Sequence, residues 1–240
     1  IVFRYMIQDN DTDSNGISIG VNALALNSST IRDAALNNAI LTLIARSHDD
    51  DYIVDTTPPT VSSVAITSAT NKQYDFVNAT DVVSVTATFS ETAPSAVIVD
   101  NTSAATLTLV VGSDNRTAAY HSLSGTTVTG SNNALLLFKY TIQATGTSGE
   151  NDDDGISIPA NALNSGSITI RDPAGNIATD LTHSAVPDNS SFKVDTIRPS
   201  VDNFTMDDRE IIVNDNATVT LRFSEPICPV SNLCAVEFSN

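Results

Sequence analysis

Two copies of an Asp-Thr-x-x-Pro element constrain this chain more than anything else in it. The first is Val54-Asp55-Thr56-Thr57-Pro58-Pro59-Thr60-Val61, and the second is Val194-Asp195-Thr196-Ile197-Arg198-Pro199-Ser200-Val201. Proline fixes its own φ, lacks an amide hydrogen and pushes the residue before it toward extended backbone. Neither element can continue a helix. Each follows a short hydrophobic run and precedes an alternating one, Val61-Ser62-Ser63-Val64-Ala65-Ile66 and Val201-Asp202-Asn203-Phe204. Both read as stiff joints between successive units of an array.

The residues around the joints repeat as well. Phe3, Tyr5 and Ile7 recur 135 positions on as Phe138, Tyr140 and Ile142. The acidic turn Asp9-Asn10-Asp11-Thr12-Asp13-Ser14-Asn15-Gly16, followed by Ile17-Ser18-Ile19, is echoed by Asn151-Asp152-Asp153-Asp154-Gly155 and Ile156-Ser157-Ile158. Asn22-Ala23-Leu24 matches Asn161-Ala162-Leu163, and Ile31-Arg32-Asp33-Ala34-Ala35-Leu36-Asn37 matches Ile170-Arg171-Asp172-Pro173-Ala174-Gly175-Asn176. After the first joint, Val83-Ser84-Val85-Thr86-Ala87-Thr88-Phe89-Ser90-Glu91 is answered by Val219-Thr220-Leu221-Arg222-Phe223-Ser224-Glu225. A period near 135–140 residues implies whole domains in tandem rather than a solenoid. The order of elements sets the phase. Residues 1–54 read as the C-terminal part of a repeat, 55–195 as a complete repeat, and 196–240 as the N-terminal part of a further one.

The expected fold class is all-β. Val83, Val85, Ala87 and Phe89 share one face of an alternating run, and Thr106–Val111 and Thr117–His121 read as strands on either side of Gly112-Ser113-Asp114-Asn115. Ile1–Gln8 alternates in the same way and reads as a strand. The one helical candidate is Arg32–Ser47, but its echo holds Pro173 and Gly175, which favours a turn followed by a strand in both copies. Inward faces are expected from Val64/Ile66, Leu107/Leu109/Val111, Leu136/Phe138/Tyr140/Ile142 and Ile156/Ile158. Short strands, frequent turns and no helix indicate a β-sandwich, and about 140 residues suffice to bury a core.

Composition excludes several functions. The formal net charge is −17, from 28 acidic residues against 11 Lys plus Arg. Such a field repels nucleic acid and anionic membranes and attracts cations. No apolar run approaches the ~18 residues needed to cross a bilayer, so no membrane insertion is expected. The sequence opens on Ile1 rather than Met and reads as processed or as part of something longer. Cys228 and Cys234 enclose Pro-Val-Ser-Asn-Leu and could close a looped-back disulfide in an oxidising compartment. The alternative is two free thiols. Sequons at Asn10, Asn27, Asn78, Asn101, Asn115, Asn189, Asn203 and Asn216 permit glycosylation, although a chain so rich in Asn, Ser and Thr makes some by chance.

Taken together, Val54–Val61, Phe89-Ser90-Glu91, Leu107–Gly112, Arg116–Tyr120, Phe138–Ile142, Asp154–Ile158 and Asp172–Asn176 resemble the bacterial Ig-like repeats of large cell-surface and adhesin proteins. Related repeats occur in surface and filament proteins of algae and other protists. The resemblance spans the chain in permuted form, and it implies tandem Ig-like β-sandwiches, one complete and two partial, in a non-enzymatic extracellular or cell-surface protein often stiffened by calcium. Leu36 in place of the glycine at 175, Ile197-Arg198 in the second joint, and the Cys pair depart from a uniform repeat.

The acidic residues give the only chemistry to expect. In an Ig-like sandwich Asp55, Glu91, Asp172 and Asn176 share one pole, and Asp152, Asp153 and Asp154 lie at the other, toward Asp195 and Glu225. The first joint would bring Asp9, Asp11 and Asp13 toward Asp55 and Glu91. Oxygen ligands gathered in this way suit Ca²⁺, which takes six to eight of them. The spacing is not that of an EF-hand, and solvated turn residues are the plain alternative. His48, His121 and His183 fall at unrelated places in the repeat, so nucleophilic catalysis has no support and no enzyme is expected. The expected role is a structural segment of an extracellular filament, stalk or adhesin. Its partners would be copies of itself or adjacent repeats, head to tail, completing the partial ends. The alternative is a carbohydrate- or ice-binding adhesin module, drawn from the Ser84/Thr86/Thr88 and Thr106/Thr108 faces.

Overall fold

The structure is a computed structural model that describes residues 1–92, 97–100, 105–121, 133–144, 150–207 and 210–227. Among these residues the secondary structure is entirely β. The strands are β1 (Ile17–Ile19), β2 (Arg46–Asp49), β3 (Val61–Ala69), β4 (Phe76–Val77), β5 (Val82–Thr92), β6 (Ile98–Asp100), β7 (Thr106–Val111), β8 (Asp114–Tyr120), β9 (Asn133–Thr141), β10 (Asn151–Asp152), β11 (Leu163–Asn164), β12 (Thr169–Arg171), β13 (Lys193–Asp195), β14 (Val201–Met206) and β15 (Val219–Phe223).

The largest sheet is antiparallel, in the order β11-β7-β8-β9-β5-β3. A three-stranded sheet places β13 between β10, antiparallel, and β4, parallel, and β12 pairs with β6. Alternation dictates which side chains go inside. Val83, Val85, Ala87 and Phe89 of β5 are buried, and the residues between them are half-exposed. Leu107, Leu109 and Val111 of β7 and Leu136, Phe138 and Tyr140 of β9 join the same core, with Ile142, Ile156 and Ile158. These are the inward faces that the alternation predicts. Every buried apolar residue of the cluster lies between Val64 and Val194. Tyr120 meets Phe138 edge to face, with ring centroids 5.8 Å apart.

The C-terminal segment keeps the local folding of its echo without the burial. β14 and β15 pair in the register of β3 and β5. Val201 faces Phe223 as Val61 faces Phe89, Phe204 faces Leu221 as Val64 faces Ala87, and the register shift recurs after the first pair. The Ser224 amide donates to the Ser200 carbonyl at 2.9 Å, as Ser90 does to Thr60 at 2.8 Å. Yet Phe204, Val219 and Leu221 are exposed.

Residues 1–8, predicted as a strand, lie outside any ladder. Their echo β9 is clamped between β5 and β8; residues 1–8 have no described strand on either side, and alternation alone cannot hold extended backbone in a ladder. Residues 32–47 carry no helix. An Arg32–Asn38 bridge closes a turn there, and the chain enters β2 at Arg46, the turn-then-strand order expected from the echo.

Candidate functional site

The first joint holds three carboxylates. Asp55, Glu91 and Asp172 each place an oxygen within 4.8 Å of the others, the one such group of three or more metal-ligating side chains among the described residues. Backbone chemistry positions each. Asp55 ends the extended entry to Pro58, and its Oδ1 accepts the Thr57 amide at 2.9 Å. Glu91 sits near the end of β5. Asp172 follows β12 and is fully buried in a tight turn, where its Oδ1 accepts the amides of Gly175 (2.7 Å) and Asn176 (2.8 Å). Asn176 ties the turn to the joint, since its Nδ2 donates to Asp172 Oδ2 at 2.7 Å and to the Asp55 carbonyl at 3.0 Å. Burial pushes the Glu91 carboxyl above its ordinary range, and the charges of Asp172 and then Asp55 push it further.

The second joint rebuilds part of this. The Ile197 amide donates to Asp195 Oδ1 at 3.0 Å, as Thr57 does to Asp55. Burial raises the Glu225 carboxyl, and the charge of Asp195 adds to it. Glu225 Oε1 is buried and has no hydrogen-bond partner among the described residues. The third carboxylate has its echo at the other end of the chain, where Asp33 accepts the Asn37 amide and side chain, both at 2.9 Å, in the turn that Asp172 and Asn176 make.

The remaining predicted ligands stand apart from the three-carboxylate group. Asp11 Oδ2 accepts the Tyr5 hydroxyl (3.1 Å) and the Gln8 amide (2.7 Å), and its carbonyl accepts the Thr56 hydroxyl (3.0 Å). Asp13 bridges Val54, and Asp9 is exposed. Asp152 is buried and receives the amides of Gly112 and Gly155, both at 2.7 Å. Burial nonetheless holds its carboxyl above the usual range, with Asp154 adding to the rise. Asp153 and Asp154 are exposed. Of the sequons, Asn10, Asn27, Asn78, Asn115, Asn203 and Asn216 are exposed and Asn189 is half-buried; Asn101, Cys228 and Cys234 lie outside the described residues. Ser84, Thr86 and Thr88 are half-buried, and Thr67 Oγ1 lies 3.2 Å from the Ser84 carbonyl and 3.3 Å from Thr86 Oγ1.

Sequence reasoning missed one buried charge, Glu150. Its carboxylate accepts Arg116 Nε, the Tyr140 hydroxyl and the Gln143 amide, the last at 2.8 Å. Its carbonyl accepts the Thr196 hydroxyl at 2.9 Å, so it fastens the second joint as Asp11 fastens the first. Tyr and Gln three apart in both copies, at Tyr5/Gln8 and Tyr140/Gln143, were the available signal. No protein-family model matches this chain, and no curated protein or solved structure matches it.

Proposed function

We propose that the chain is a structural segment of tandem Ig-like β-sandwich repeats in an extracellular filament, stalk or adhesin. The whole repeat is 55–195, and 1–54 and 196–240 are parts of its neighbours. The observation that carries this reading is the duplicated joint. Two stretches 140 residues apart share the Asp-Thr-x-x-Pro sequence, the Asp side chain capping the amide two residues on, and the Thr hydroxyl bonded back to an acidic residue's carbonyl. A joint fastened to both flanking pieces by side chains fixes their mutual setting, which suits load-bearing rather than catalysis. The role is non-enzymatic.

Calcium is the cation we propose for the first joint. Asp55, Glu91 and Asp172 offer hard oxygen donors, and an ion there would offset the repulsion that raises Glu91. Asp172 Oδ1 already accepts two amides and Oδ2 one side-chain donor, which leaves room for single-oxygen ligation and not for a bidentate grip.

Imaging of the native object with a mass measurement tests the reading. Modules in series, spaced by one repeat, support it, and a native mass far above 25.3 kDa places the completing pieces in the same polypeptide. A single compact globule without serial modules would overturn it.

A further inference from the structure

An unfilled cleft marks residues 1–54. It measures about 250 Å³ and is lined by Tyr5, Ile7, Asp11, Asp13, Ile17 and Val54, among others. Their echoes are Tyr140, Ile142, Glu150, Asp152, Ile156 and Val194, all buried. The contrast is large: Tyr5 is 74% exposed against 9% for Tyr140, and Ile7 44% against 1% for Ile142. The polar scaffold is nonetheless already in place. Tyr5 and Gln8 donate to Asp11 as Tyr140 and Gln143 donate to Glu150.

What covers the echo is the β7–β8 hairpin. Arg116 of β8 donates through Nε to Glu150, and Gly112, at the tip, donates its amide to Asp152 Oδ2 at 2.7 Å. The tip lies so close that a Cβ on Gly112 would meet the Asn151 carbonyl oxygen at 2.5 Å. Val110 exchanges backbone hydrogen bonds with Ser157, and β7 pairs with Leu163 and Asn164. Nothing in residues 1–54 supplies such a hairpin, and the repeat phase places none in 196–240.

We propose that the Tyr5–Asp11–Asp13 cleft docks an arginine-bearing β-hairpin of the β7–β8 kind, the guanidinium on Asp11 and the hairpin's turn amide on Asp13. This rests on the tandem reading above and deepens it by naming the partner's chemistry. The docking is strand addition: backbone pairing runs along Ser18 and Leu24, the echoes of Ser157 and Leu163, while Asp11 selects the arginine. The tip residue must be glycine, because the echo of Asn151 is the backbone of Thr12.

The test uses the 240-residue protein and a labelled peptide spanning Ala105–His121, closed by a disulfide between cysteines added at its ends. Fluorescence anisotropy should show saturable binding. An Arg116→Gln peptide and a Gly112→Ala peptide should each bind at least tenfold more weakly. Asp11→Asn protein should lose the preference for the arginine peptide, and Asp11→Glu, which restores the side chain found at 150, should keep it. Absence of saturable binding, equal affinity for the Arg and Gln peptides, or equal competition by arginine amide alone would overturn the proposal. Native imaging that still shows serial modules would then leave the tandem reading standing, so the two failures are distinguishable.

Discussion

Replacing Arg116 by methionine tests the main charge contact at the edge of the Val64–Val194 core. The Glu150 side chain is 1% exposed and that of Arg116 28%. Methionine keeps much of the apolar stem and removes the guanidinium, so among the described residues Glu150 retains the Tyr140 hydroxyl and the Gln143 amide. Stripping one partner from a buried ion pair costs about 3–5 kcal/mol. Two neutral donors remain and Arg116 is partly solvated, so the lower end applies, about 3 kcal/mol. That is a large share of a domain's 5–15 kcal/mol and shifts the folded-to-unfolded ratio roughly a hundredfold. In thermal terms it is a fall of roughly 6–12 °C for a body of this size. Urea unfolding followed by far-ultraviolet circular dichroism would read it, with an unchanged m-value expected. The double variant Arg116→Met/Glu150→Met should recover most of the loss, because no charge is then left stranded. A single-variant cost below about 0.5 kcal/mol, or strictly additive costs in the double-mutant cycle, would refute the assignment of Glu150 as a charge held by Arg116.

Gly155→Ala should cost at least ~3 kcal/mol by urea midpoint, because φ is +103° and the new Cβ would lie 2.0 Å from the Asn189 carbonyl oxygen; an unchanged midpoint would contradict this packing. Glu91 binds its proton more tightly folded than unfolded, so stability should fall as pH rises from the ordinary glutamate value through the raised folded one, and be flat below that window. Glu91→Gln in chelator should flatten that slope, leaving the part that the raised Asp152 carboxyl contributes, and an unchanged slope would point elsewhere. Added calcium should raise the melting temperature of the unsubstituted protein and not that of Glu91→Gln; no calcium response in either removes the ion from the joint. Leu36 holds φ +68° where its echo is glycine, so Leu36→Gly should relieve about 1 kcal/mol of left-handed strain. Slower hydrogen exchange at the Asn37 and Ala39 amides would report it, and faster exchange would count against it.

The sheet was largely legible in the sequence, for a physical reason. Period-two alternation in Val83–Phe89 and Leu107–Val111 is a direct record of which side of the sheet faces the core. Pairing was legible only through the internal repeat, as in the β14–β15 register copied from β3–β5. Ile1–Gln8 misled because a strand needs neighbours, and alternation says nothing of whether they are present. At the joint, Asp55, Glu91 and Asp172 met as the strand order required, while Asp11 and Asp152 turned to backbone and hydroxyl donors. Glu150 escaped notice because its isolation from water depends on β8, more than thirty residues away, and no local pattern marks so distant a partner.

β3 begins just after the first joint and is joined to β5 by seven facing pairs, from Val61–Phe89 to Ala69–Val83. Its hydrogen bonds lie across the strand axis. Tension drawn in through Pro59 would pull β3 lengthwise, so that these bonds are sheared together instead of being peeled one at a time. Extension would thus meet one high barrier, and then release the strand as a whole.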